Sequence, residues 1–183
     1  MEQITKEELL DVIGKFELGD NTEVVSVEPY GSGHINDTFR LEVKEDGQEK
    51  LYILQRMNKD IFKNQKELME NILQVTSFLT DKIKAQGGDP NRETLQVIPT
   101  KEGKSYLIEA NGDGWRVYPF ITDSLSFDKA DTPEAMKKSG YAFGNFQYLL
   151  SDFPAEKLHE TIPDFHNTPD RLRKFKEALA ADT

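Results

Sequence analysis

The chain has 183 residues with a hydrophobic share of 37%, enough for one domain, or one and a half, that buries roughly 70% of its unfolded surface. Its 33 Asp and Glu outnumber 23 Lys and Arg, and the resulting net charge of -10 repels a phosphodiester backbone, so nucleic acid is not an expected partner. Cysteine is absent and His34, His159 and His166 are scattered, which leaves no disulfide, thiolate site or zinc site to expect.

The first residues carry no apolar leader and no run approaches the ~18 apolar residues of a membrane span, so a cytoplasmic protein with no membrane partner is expected. Thr5 and Glu8 have the spacing of a capping box, and Leu9, Leu10, Val12, Ile13 and Phe16 recur at helical intervals as far as Gly19. Residues 24–28 read as a strand, 31–36 as a tight loop, and 38–43 as a strand with Phe39, Leu41 and Val43 on one face. An Asp46-Gly47 turn returns the chain into a strand over 51–57, which completes an antiparallel meander. Asn64 then caps a long helix, with Glu67 reaching back and Leu68, Ile72, Val75, Leu79 and Ile83 as its apolar stripe, until Gly87, Gly88 and Pro90 end it. Strands over 95–99, 106–109 and 115–121 bring the sheet to five or six.

From Thr122 the pattern is helical. Thr132 with Pro133 opens a helix bearing Met136, Phe143, Phe146, Leu149 and Leu150, on which Gly140 and Gly144 allow close approach of a neighbour. After an irregular stretch, Thr168-Pro169 repeats the device for a last helix through Leu172, Phe175 and Leu179. That helix runs out at Ala181, Asp182 and Thr183 without a glycine cap, which suggests a chain cut from a longer one.

The chemistry-bearing candidate is the glycine-rich stretch Tyr30-Gly31-Ser32-Gly33-His34-Ile35-Asn36, whose N–H groups can cradle phosphates. A strand follows the glycines, where a dinucleotide fold needs a helix, and no Gly-Lys-Ser/Thr is present, so neither a Rossmann site nor a Walker loop is expected. Taken alone, an ordinary glycine-rich hairpin looks the same. The order strand, glycine loop, two strands, long helix, two strands, connector and helices is that of a kinase N-lobe leading into a helical lobe.

Five strings in that order, YGSGHINDT (30–38), ILQRMN (53–58), FKNQKELMENI (62–72), WRVYPFI (115–121) and LHETIPDFHNTP (158–169), resemble the N-acetylhexosamine 1-kinases of the aminoglycoside-phosphotransferase superfamily. The resemblance implies an α+β fold: a protein-kinase-like N-lobe over 1–121, with a five- to six-stranded antiparallel sheet and a long packed helix, and the start of an incomplete helical C-lobe over 122–183. It implies ATP- and Mg2+-dependent transfer of a phosphoryl group to the anomeric hydroxyl of an N-acetylhexosamine, catalysed by positioning and charge stabilisation.

Under that resemblance Gly31, Ser32 and Gly33 lie over the phosphates and His34 reaches the sugar. Gln55 and Arg56 stand where a kinase carries its phosphate-binding lysine, and strand alternation lets only one of them face the nucleotide. A neutral contact of Gln55 with Asn71 replaces the usual ion pair to the long helix, while Glu70 lies on a solvated face. In the connector, Pro119 offers its carbonyl and Ile121 its N–H to adenine. The family's His-x-Asp loop and later magnesium aspartate are missing, since Thr168 stands where the base belongs in 166–170. No catalytic or metal residue is therefore expected in this chain, which is expected to be inactive alone. The alternative is a non-catalytic nucleotide-binding or partner-docking module whose helix faces meet a separate C-lobe.

Overall fold

The computed structural model describes residues 4–125, 127 and 129–181. Its elements run in the order α1 (Lys6–Ile13), β1 (Thr22–Pro29), β2 (Asp37–Glu45), β3 (Gln48–Met57), α2 (Gln65–Ala85), α3 (Pro90–Glu93), β4 (Leu107–Ile108), β5 (Gly114–Pro119), α4 (Pro133–Leu149) and α5 (Thr168–Ala180). The strands form one five-stranded antiparallel sheet in the order β1-β2-β3-β5-β4, so the fold is α+β. No helix among the described residues is long and apolar enough to cross a membrane.

Local chemistry fixes the sheet's edges and turns. The capping box at the start of α1 is complete: the Thr5 side chain accepts from the Glu8 N–H, and the Glu8 carboxylate accepts from the Thr5 N–H at 2.8 Å. The helix stops at Gly14 rather than Gly19, because Phe16 turns away to bridge Thr100. Asp46 and Gly47 both take positive φ, 47° and 82°, which matches the twist of the β2–β3 hairpin.

Alternation divides the sheet into two faces. Leu41, Val43, Leu54, Trp115 and Val117 point to one side, where Leu9, Val12 and Ile13 of α1 close the core. Thr38, Arg40, Ile53, Gln55, Arg116 and Tyr118 share the other, directly opposed in the registers Thr38↔Gln55, Arg40↔Ile53, Gln55↔Arg116 and Ile53↔Tyr118. Part of that second face is covered by α2.

The buried line of α2 is Gln65, Met69, Leu79 and Ile83, so its upper half is turned by one residue from the expected stripe that included Leu68. Gln65 and Met69 pack against Gly114 and Arg116 of β5, and that contact sets the rotation. Asn64 accepts from the Glu67 N–H as expected, whereas the Glu67 side chain does not reach back and instead approaches His159. A Schellman end closes the helix, with Gly88 N–H donating to the Ile83 carbonyl and Gly87 N–H to that of Lys84.

Three expectations need correction. Residues 95–99 form no strand: Ile98 makes only a bridge to Val117, because the outer edge of β5 is divided between it and the two-residue β4. Asn167, not Thr168, caps α5, its side chain accepting from the Asp170 N–H at 3.1 Å. Gly140 and Gly144 meet open space rather than a close neighbour. The run-out at Asp182 and Thr183 lies outside the described residues.

The helical part meets the sheet domain along α2. Phe78 and Phe153 stack edge to face at 5.2 Å, and Lys82 pairs with Asp152. No residue of α4 is buried, and Met136, Tyr141, Phe143 and Tyr148 are largely exposed.

Candidate functional site

The glycine-rich loop spans the gap between β1 and β2. Tyr30 N–H donates to the Thr38 carbonyl at 2.8 Å and closes its base, while residues 31–35, His34 included, are exposed. Gly31 has φ 83°, a conformation that L side chains rarely adopt, so glycine is required there by backbone geometry. The loop exit is anchored, since the Asn36 side chain accepts from the Asn58 N–H at 2.9 Å. Its entry touches the connector after β5: the Tyr30 ring meets Phe120 edge to face, with centroids 5.4 Å apart. The loop and the connector therefore lie against each other although about ninety residues separate them.

On β3, Gln55 and Arg56 point to opposite faces. Arg56 is buried beside Trp115 on the α1 side and pairs with Asp37 at 2.6 Å and Asp113 at 3.1 Å. It is a structural ion-pair centre turned away from the face that carries Gln55. Gln55 lies on the face with Thr38, where its Nε2 donates to Thr38 Oγ1 at 2.9 Å and its Oε1 accepts from Arg116 Nε at 3.0 Å and Nη2 at 2.5 Å.

Arg116 is the residue that reading the sequence left out. Its Nη1 reaches Met69 Sδ at 3.9 Å and its guanidinium lies over the Tyr118 ring at 6.0 Å. Burial lowers the pKa of its guanidinium from the ordinary value, with Tyr118 opposing, and burial likewise raises the Tyr118 phenol. The alternation Trp115-Arg116-Val117-Tyr118 already marks Arg116 as facing away from the core, but only the β3–β5 register brings it beside Gln55.

The expected contact between Gln55 and Asn71 does not form. The Asn71 amide is taken by the backbone of His159, donating to its carbonyl at 2.8 Å and accepting from its N–H at 2.9 Å. Glu70 is not left to solvent either: it lies 3.0 Å from His159 Nε2 and 3.7 Å from Lys66. The α2 edge that was expected to serve a ligand serves the 153–162 segment.

In the connector, Phe120 N–H donates to the Leu51 carbonyl at 3.0 Å. Because N–H and C=O alternate sides along an extended segment, the Pro119 carbonyl and the Ile121 N–H turn away from β3 together. A cavity of about 570 Å³ opens beside Pro119, with Arg40, Glu42, Leu51 and Thr122 among its other lining residues. A larger one, about 750 Å³, lies behind α2 and against residues 100–108, away from the glycine loop. Lys15 and Lys104 on its wall are already paired with Asp11, Glu109 and Glu102. The smaller cavity is the one that borders the connector, at Pro119 and Thr122.

Among the described residues no three His, Asp or Glu side chains gather as a metal cluster. In the 166–170 segment the Asp170 carboxylate is held by Arg173 and Lys174, at 2.6 and 2.7 Å. No family model matches the chain.

Proposed function

We propose that this chain is the nucleotide-binding part of an ATP-dependent small-molecule kinase, with an N-acetylhexosamine as the phosphoryl acceptor that its sequence resemblance favours. The observation that carries the reading is the meeting of the glycine loop and the connector at Tyr30 and Phe120, at the edge of the face lined by Thr38, Gln55 and Arg116. A nucleotide needs a flat apolar slot with an N–H and a carbonyl for its base, and amides and a cation for its phosphates. Pro119 and Ile121 supply the first pair, and Gly31, Ser32 and Gly33 the amides.

Catalysis in this class of reaction is positioning and charge stabilisation, and a carboxylate must orient the attacking hydroxyl. The sequence contains no His-x-Asp loop to supply it. The chain is therefore expected to bind ATP without transferring its phosphate. Isothermal titration with ATP and with N-acetylhexosamines tests this: ATP binding without turnover supports the reading, and a well-folded sample that ignores millimolar ATP removes it.

A second reading rests on α4, whose apolar side chains are exposed along its length. A partner-docking module would present such a helix to a separate lobe. Sedimentation of the isolated chain as a lasting monomer that takes up no nucleotide-independent partner would weigh against it.

A further inference from the structure

We infer that Arg116, aligned by Gln55 on the adjacent strand, is the seat for a phosphate group entering from the side of the glycine loop. The identity of the ligand as a nucleotide rests on the reading above; the anion seat itself rests on the arrangement of donors.

A guanidinium offers five N–H donors. On Arg116 the Nε hydrogen and one Nη2 hydrogen go to Gln55 Oε1, and one Nη1 hydrogen faces the weakly accepting Met69 Sδ. One hydrogen on each terminal nitrogen remains. Arginines drawn into a fold are ordinarily paired with carboxylates, as buried Arg56 is with Asp37 and Asp113, and Arg116 is half-buried. Arg116 forms no ion pair among the described residues, in a chain with 33 acidic residues and a net charge of -10. A neutral glutamine occupies the place of a carboxylate, so the positive charge is oriented but not cancelled. This is what a site for a transient anion requires, because a permanent carboxylate would compete with it.

The surroundings say where that anion comes from. At the exit of the glycine loop the Thr38 hydroxyl accepts from the Gln55 amide, whose oxygen in turn holds Arg116. A polar row thus runs across β2, β3 and β5 from the loop to the guanidinium. Tyr118 lies under it as a flat wall. The free hydrogens on the terminal nitrogens of Arg116 are the donors a phosphate would take, at the end of a row of hydrogen bonds that begins at Thr38 beside the loop.

The test compares the wild type with Arg116→Met and Gln55→Glu, using inorganic pyrophosphate, ADP and adenosine as probes in calorimetry and thermal melting. The wild type is expected to melt higher with pyrophosphate and to prefer ADP over adenosine by about tenfold, the size of one charge-assisted hydrogen bond. Arg116→Met is expected to lose that preference while binding adenosine unchanged. Gln55→Glu places a permanent carboxylate on the guanidinium, so it is expected to melt higher by itself and to stop responding to pyrophosphate. Since the second variant adds an ion pair, it remains informative if the first fails to fold. Equal responses to pyrophosphate in all three proteins would overturn the seat, as would a wild type that binds ADP and adenosine alike. A pyrophosphate response that depends on Arg116 with no binding of ADP or adenosine would sink the nucleotide reading and leave the seat standing.

Discussion

The side chain of Asn71 is joined to the backbone of His159 by two hydrogen bonds, 2.8 and 2.9 Å, so that a residue in the first half of α2 holds the segment leading to α5. With both bonds exposed, their loss is worth about 1 kcal/mol, or roughly fivefold in a local opening equilibrium. Asn71→Ala is expected to speed hydrogen exchange at the His159 amide by that factor and to leave the β2–β3 amides unchanged. Asn71→Asp keeps the acceptor for the His159 N–H and is expected to protect it. Uniform acceleration across the sheet would instead mean that Asn71 supports the whole fold.

Arg56 and its carboxylates predict an acid limb of stability. Burial pushes the Asp113 carboxyl up, but hydrogen bonding from Lys59 and the charges of Arg56 and Lys59 outweigh it and hold the group below the ordinary carboxylate range. A carboxyl depressed in the folded state stabilises the fold above its unfolded pKa, near 4, and that contribution fades as pH falls through the folded value. Asp113→Asn is expected to lower stability at pH 7 and to flatten the loss below about pH 4. Arg56→Met leaves Asp37 and Asp113 without their shared cation and is expected to cost about 2 to 4 kcal/mol, read from urea unfolding. An unchanged acid limb in Asp113→Asn would assign it to other carboxylates.

Gly114 is fixed by crowding rather than by φ. A Cβ built there would lie 1.5 Å from Gln65 Oε1 and 2.9 Å from Met57 Cε, and Gln65 itself is buried. Gly114→Ala is expected to cost about 2 kcal/mol by overpacking. Gln65→Ala removes the obstructing atom, so the double variant is expected to recover most of the penalty that Gly114→Ala adds. A double-mutant cycle measures this coupling directly, and simple additivity of the two changes would contradict the contact.

Elements set by local chemistry were legible before any coordinates. Thr5 with Glu8, Asn64 with the Glu67 N–H, and Asp46-Gly47 each specify a cap or turn within a few residues, and each forms. What failed depended on competition between distant segments. Residues 95–99 have strand composition but meet a β5 edge shared with β4. Helical periodicity gives α2 an apolar side within one residue, and only the packing on Gly114 and Arg116 chooses Met69 over Leu68. At the candidate site, alternation separates Gln55 from Arg56 but cannot say which faces the loop. Asp37 and Asp113 claim Arg56 on one face, while Arg116, whose position beside Gln55 is a matter of register, joins Gln55 on the other. Asn71 was expected to meet Gln55 and instead meets His159, because a helix-edge amide looks the same whether its partner is a neighbouring side chain or a distant backbone.

The connector offers a way to separate base recognition from phosphate recognition. Phe120 N–H is engaged by Leu51, so of the two neighbouring residues only Ile121 can donate a backbone N–H on the opposite side. Ile121→Pro removes that donor, and the extended conformation a proline imposes on the preceding residue suits Phe120 at the end of a strand. ADP and adenosine are both expected to bind about tenfold more weakly to this variant, because a base acceptor is left unpaired. Its melting response to pyrophosphate is expected to stay at the wild-type level, since Arg116 and the glycine loop are untouched. Ile121→Ala keeps the N–H and serves as the control for lost apolar contact. If Ile121→Pro and Ile121→Ala weaken adenosine equally, the side chain rather than the backbone meets the base, and the hydrogen-bonding role of the connector is removed while its place in the cavity stands.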